Sequence, residues 1–313
     1  MSMGLKEKNR YITAFLKNVP PFLNYKLFKK KRNLSSFCGI NNINEATTSL
    51  ALKKAISSSI PFAAIRFGAV ELSCLNNHEK IELGFKKKYK DSVIYSMKNN
   101  AGFFPCDQSS LAKYGDILLP KLKEADFLGI SGVHLEDYFY KKYMPSSKVI
   151  LYEGMEPLHE DWIKSLEGKK VLVISSFAED IESQYKIKDK LFPEGVIPSF
   201  ELKTIKTPLT FAKEEPSESS FFEVLEKLYS QIDKIDFDIA LIGAGAYGTF
   251  LALHCKEIGK QAIQTGGATM TMFGIIGKRW ENRNHVSRYI NSYWIRPSLK
   301  PKGYKDIENG AYW

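Results

Sequence analysis

FDIALIGAGAYGTFLALHCKEIGKQAIQTGG, residues 237–267, is the stretch whose reading decides the fold. The apolar run 237–242 predicts a buried parallel strand, the glycines a turn, residues 247–258 a helix, and residues 261–264 a second short strand. That strand runs into Gly266-Gly267. Glycine lets a backbone approach an anion closely, and the first turn of a helix presents unpaired N–H groups to it, so phosphate is the natural ligand of such a turn. Gly243, Gly245 and Gly248 have the G-x-G-x-x-G spacing of a dinucleotide fingerprint, placed between strand and helix as that reading requires. The same glycines serve equally well as a tight strand-to-helix joint with no ligand.

An NAD site also needs an acid about 20 residues after the first glycine, to hold the ribose hydroxyls. At that place stand Ile263, Gln264, Thr265, Gly266 and Gly267. A diphosphate on a different sugar fits the pattern better than NAD does.

The 313 residues suffice for one large α/β domain or two small ones, and 44% apolar residues is ordinary for a globular chain. Cys38, Cys74, Cys106 and Cys255 are scattered without metal spacing, so free thiols and a reducing, cytoplasmic setting are expected. No apolar run of membrane-spanning length and no signal-peptide pattern is present. The net charge of +10 is uneven: residues 1–40 hold nine Lys or Arg against Glu7, with Lys29-Lys30-Lys31-Arg32 clustered. Tyr11, Phe15, Phe22, Tyr25, Phe28 and Phe37 interleave with these bases, and Pro20-Pro21 is expected to interrupt the segment. Residues 1–43 therefore read as a basic, aromatic arm suited to an anionic membrane surface, or as a plain soluble extension. No nucleic-acid-binding module accompanies the charge.

Residues 44–313 read as a single domain in which strands and helices alternate. Strands are expected at 62–67, 92–97, 126–130, 148–152, 169–176 and 200–205, besides the two at the glycine turn. Helices are expected at 44–58, 109–123, 159–166, 177–190, 219–232 and 269–276. Ser176 and Glu179 have the spacing of a capping box for the helix at 177–190. Glu71 falls in the first helical turn beyond strand 62–67, and Arg66 at that strand's end, facing the edge where α/β proteins bind ligands. Glu71 also suits a helix N-terminus without further role. His134, Glu153 and Glu156 lie at strand ends or loops, the two acids as candidate bases toward an acceptor. Lys278, Arg279 and Arg283 follow the second glycine turn closely enough to clamp a diphosphate. Tyr312 and Trp313 are too apolar for a free tail and should pack on the body. The alternation predicts an α/β, three-layer, Rossmann-like fold with an open, mostly parallel sheet flanked by helices.

IRFGAVEL at 65–72 and DIALIGAGAYG…GKQAIQTGGATMTMFGIIGKRW at 238–280 resemble the bacterial glycosyltransferases of the GT-D fold, in their polysaccharide-biosynthesis branch. The resemblance covers roughly residues 45–313. It implies transfer of a sugar from a nucleotide diphosphate donor to a saccharide or lipid-linked acceptor, by a cytoplasmic protein, peripheral on the inner face of the membrane where the arm engages it. The family's strand-end motif is Arg-Phe-Gly-Asp-Gly-Glu, whose acids are associated with the donor diphosphate and a divalent metal. Arg66, Phe67, Gly68 and Glu71 match it, while Ala69 and Val70 replace the aspartate and second glycine. The resemblance thus implies Glu71 as the one remaining contact to Mn²⁺ or Mg²⁺; the alternatives are that Lys278 and Arg279 neutralise the leaving diphosphate without metal, or that Glu71 is a base toward the acceptor hydroxyl.

Donor-binding residues on this reading are Gly68, Gly243, Gly245, Tyr247, Gly248, Gly266, Gly267, Lys278 and Arg283, with Glu71, Arg66 and Arg279 in the chemistry. An NAD-dependent oxidoreductase and a non-catalytic, membrane-associated scaffold of a polysaccharide-assembly complex remain the alternatives.

Overall fold

Seven short strands make one sheet in the computed structural model, which describes residues 3–30, 32–210, 217–301, 303–306 and 310–313. Lys31 of the basic cluster and residues 211–216 of the loop at 206–220 lie outside the described residues. The strands are β1 (Phe62–Arg66), β2 (Phe127–Ile130), β3 (Lys148–Leu151), β4 (Lys170–Ser175), β5 (Glu201–Lys206), β6 (Ile239–Gly243) and β7 (Gln261–Ile263). Their order is β3-β2-β1-β7-β6-β4-β5, and every pairing is parallel.

A parallel sheet is buried on both faces, and alternate residues of each strand feed different cores. Ala63, Ile65, Leu172, Ile174, Ala240 and Ile242 pack on one side. Phe62, Ala64, Val171, Val173, Ile239 and Leu241 pack on the other. Helices close both faces, which gives three layers.

The strand order decides where a ligand can sit. From β1 the chain steps outward through β2 to β3, then crosses to the far side for β4 and β5 before returning inward through β6 to β7. The connections leaving the neighbouring strands β6 and β4 run in opposite directions, to β7 and to β5, so the loops at their carboxyl ends diverge and leave a crevice, which Arg66 at the end of β1 also lines.

Four sequence expectations need correction. Residues 92–97 belong to a helix, Asp91–Asn99, because Val93 and Met97, four apart, are the buried pair. The helix expected at 177–190 is Ala178–Tyr185 followed by Lys188–Leu191. No side chain caps it: Ser176 Oγ instead hydrogen-bonds Thr207 Oγ1 at 2.8 Å, and Glu179 accepts from Lys206 at 2.7 Å. Residues 161–166 and 266–273 form 3₁₀ turns where helices were expected at 159–166 and 269–276. Finally, the helix Met3–Phe28 runs through Pro20 and Pro21. The carbonyls that lose their donors there belong to Leu16 and Lys17, both exposed, where water can replace the missing N–H groups.

The terminus packs as expected: Trp313 is buried, its ring nitrogen donating to the Leu299 carbonyl at 2.8 Å. Among the described residues no helix is long and apolar enough to cross a membrane.

Candidate functional site

Two glycine turns meet at the carboxyl ends of β6 and β7. Gly243 ends β6, Gly245 takes φ +51°, and a short 3₁₀ turn, Gly245–Tyr247, leads into the helix Gly248–Glu257. Gly266, with φ +63°, turns the chain after β7. A Cβ on Gly243 would lie 2.7 Å from the Gly266 carbonyl oxygen and 2.7 Å from Thr269 Oγ1, so the two turns touch through glycine. Thr269 Oγ1 hydrogen-bonds both the Gly266 carbonyl and Thr265 Oγ1 at 2.6 Å, which fixes the second turn.

Arg66 reaches this corner from the end of β1. Its Nη2 packs on Gly266, where a Cβ would come within 2.7 Å, and its guanidinium lies 5.2 Å from the centre of the Tyr152 ring. The Nε is buried and has no hydrogen-bond partner. Burial pulls the pKa of Arg66 down, but Tyr152, Glu71, Tyr312 and Glu156 outweigh it and leave it raised, so the group stays cationic. Burial in turn pushes the Tyr152 phenol up to about 12, with Arg66 opposing. A buried guanidinium N–H with no acceptor is costly unless something anionic completes it.

The crevice beside Arg66 has a cavity volume of about 70 Å³. That is well below the roughly 300–1,000 Å³ of a common small-molecule site, so as it stands it takes a phosphoryl-sized group and leaves the rest of a larger ligand outside. Of the residues singled out from sequence, Arg66, Gly243, Gly245, Tyr247, Gly266 and Gly267 line it.

The others stand elsewhere. A Cβ on Gly248 would meet Gln264 Nε2 at 2.6 Å, so this glycine serves helix–strand packing. Gly68 lies under the Glu71 carboxylate at the start of the helix Ala69–Glu82. Arg279 is exposed, its guanidinium 5.3 Å from the Tyr312 ring, which forms one wall of the crevice. Lys278 is exposed and outside the lining. Arg283 does not join the corner: its Nη1 is 3.4 Å from Glu156 Oε2, which also lies 3.3 Å from His285 Nε2. Glu156 is itself buried, away from an acceptor's reach. His134 packs against Phe22, ring centres 5.2 Å apart, and not at the crevice.

Tyr247 is buried, stacked on Phe221 at 4.2 Å, and burial raises its phenol pKa well out of the physiological range. Its side chain forms part of the crevice wall. The position where an NAD site needs an acid carries Gln264, whose Oε1 accepts from the Arg66 N–H and from Thr249 Oγ1, both at 3.1 Å. That amide locks β1 to β7 and holds no ribose.

For a divalent cation the donor set is poor. Among the described residues no group of three or more His, Cys, Asp or Glu is placed to hold a metal ion. Ala69 has no donor atom, and Glu71 folds back over Gly68.

Sequence reading missed several lining residues. Ser175, Ser176 and Thr207 stand at the ends of β4 and β5, and the rule that ligands gather at carboxyl ends would have found them. Asn100, Ala101 and Tyr312 come from far along the chain and carry no local signal.

No protein-family profile and no curated protein matches the chain. Among solved structures it is similar to one described as showing that "the highly conserved domain of unknown function 1792 has a distinct glycosyltransferase fold". The identity is 16% and the TM-score 0.40, over 71% of this chain and 82% of that one. It is also similar to a selenomethionine-substituted structure of domain of unknown function 1792, at 15% identity and TM-score 0.35, over 82% and 97% of the two chains. A likeness this distant says nothing of chemistry.

Proposed function

We propose that this protein is a glycosyltransferase that uses a nucleotide diphosphate sugar, with the donor's pyrophosphate seated between Arg66 and the touching glycine turns. The observation that carries the reading is the Arg66 guanidinium, its buried Nε unpartnered, in the crevice at the carboxyl ends of the strands. Gly243, Ala244, Gly245 and Tyr247, which lead into the helix Gly248–Glu257, line the same crevice.

As the bond between the anomeric carbon and the phosphate oxygen breaks, negative charge grows on the leaving diphosphate. Arg66 is already desolvated and oriented by Tyr152, so it stabilises that charge more than the ground state. Arg279, beside Tyr312, adds a second cation at the crevice wall. Glu71 is the carboxylate nearest in role to an acceptor base, being half-buried beyond β1 and within electrostatic reach of Arg66. The residues do not fit a bound Mn²⁺ or Mg²⁺, so no step is assigned to one.

The test is calorimetric titration of a panel of nucleoside diphosphates and nucleotide sugars, with NAD(H) as the contrast, followed by sugar-release assays on those that bind. Binding of nucleotide sugars, lost in Arg66→Met, is the expected result. Binding of NAD(H) alone would replace this reading with the oxidoreductase.

A further inference from the structure

The helix Met3–Phe28 has two unlike parts. Its first two-thirds are docked: Tyr11 is buried and donates to Asn76 Oδ1 at 2.6 Å, and Asn18 Nδ2 donates to Asp137 Oδ1 at 2.8 Å. Arg10 Nη2 donates to the Lys141 carbonyl at 2.9 Å. Beyond Pro21 every residue from Phe22 to Lys30 is exposed. Among them Leu23 is 44%, Tyr25 54%, Leu27 67% and Phe28 73% exposed, large apolar side chains that water disfavours. Lys26, Lys29 and Lys30 stand between them, Arg32 follows, and from Lys8 to Asn44 the sequence has no acid.

Apolar side chains and uncompensated positive charge on one projecting turn match a surface that is apolar below and anionic above. We infer that residues 22–30 dock this protein onto an anionic phospholipid bilayer, Leu23, Leu27 and Phe28 entering the interface and Lys26, Lys29 and Lys30 meeting the headgroups. The bases have no role against a purely apolar protein groove, and the exposed Leu and Phe have none against free nucleic acid. The structure also narrows the sequence reading, since Tyr11 and Phe37 are buried in the core and leave only Phe22, Tyr25 and Phe28 of the arm's aromatics exposed.

The placement of the turn gives docking a direction. Phe22 packs on His134, and Arg32 and Leu34 lie 3.5 Å from the Cβ position of Gly132, all in the loop leaving the carboxyl end of β2. β2 neighbours β1, whose carboxyl end carries Arg66. The docking turn and the crevice thus share one edge of the sheet, so a bilayer taken up by the turn lies along the edge on which the crevice opens. If the transfer proposed above holds, the acceptor is presented from that surface and is lipid-linked. The docking itself is independent of that reading.

The experiment is sedimentation of the full chain with vesicles of phosphatidylcholine alone and of phosphatidylcholine mixed with phosphatidylglycerol. Wild type should sediment with the anionic vesicles, less so at high salt. Paired Leu27→Ser/Phe28→Ser and paired Lys29→Glu/Lys30→Glu should each lower the bound fraction by about tenfold or more. Neither pair touches the body, so the melting temperature and nucleotide binding should not change, which separates failure of docking from failure of the catalytic reading. Equal sedimentation of wild type and both variants, or no sedimentation of wild type, would overturn the inference. So would a dimer in analytical ultracentrifugation that Leu27→Ser/Phe28→Ser abolishes, or tight nucleic-acid binding that Lys29→Glu/Lys30→Glu abolishes without any lipid binding.

Discussion

Glu79 and Arg66 both carry charge on atoms shielded from water, and the two are treated in opposite ways. Glu79, 1% exposed, accepts hydrogen bonds from Tyr138 at 2.6 Å and Tyr143 at 2.5 Å, and is paired with Lys142. Burial raises its pKa, but those three partners prevail and leave it lowered. Arg66 sits in a corner equally well built, held by Gln264, Tyr152 and Gly266, yet its Nε is left without a partner. A complete partner set marks a charge used for structure. The incomplete set at Arg66, in the crevice at the strands' carboxyl ends, is the one that the proposed diphosphate would complete.

The contrast can be broken most easily at Glu79. Glu79→Ala should lower stability by about 3–5 kcal/mol, because it leaves Lys142 and two phenols without their acceptor. Denaturant unfolding would show it. Nucleoside diphosphate affinity of the folded protein should not change, and a loss of affinity would erase the distinction.

A second buried acid sharpens the pattern through pH. Glu136 accepts from the backbone N–H groups of Ser131 and Gly132, but burial dominates and lifts its pKa from 4.5 to about 7. Its folded-state pKa is above the unfolded value, so the stability tied to its protonated form is full below about pH 4.5 and is lost as pH rises toward 7. The loss is on the order of 3 kcal/mol. Glu79 has the opposite sign, its contribution present above pH 4.5 and lost as pH falls. Unfolding curves from pH 4 to 8 should separate the two, with Glu136→Gln flattening only the upper part.

At Arg66 the effect should appear in binding. Arg66→Met should weaken a nucleoside diphosphate by about 1.5–3 kcal/mol while leaving the unfolding midpoint unchanged or raised, since it removes an unpaired buried charge. A large fall in stability with intact binding would place Arg66 with Glu79. Smallest of all, Lys170→Ala, which removes an exposed pairing with Asp236, should leave the melting temperature where it was.

The sheet was legible because parallel strands buried on both faces are written as unbroken apolar runs, as in VLVIS at 171–175 and IALI at 239–242. Residues 92–97 misled because Val93, Ile94 and Tyr95 suit either element, and only the burial of Val93 with Met97 distinguishes them. The glycine corner, Arg66 and their meeting in one crevice were legible from strand-end position. The Tyr312 wall was not, since it is supplied from the other end of the chain. Nor could spacing reveal that Arg283, four residues from Arg279, would be drawn away by Glu156.

The most direct measurement is a crystal structure of the protein soaked with a nucleoside diphosphate. The expected result is a phosphate oxygen within hydrogen-bond distance of Arg66 Nε, against the contact of Gly243 with Gly266. A ligand found instead in the open depression lined by His159, His285 and Arg288, with Arg66 still unpaired, would contradict it.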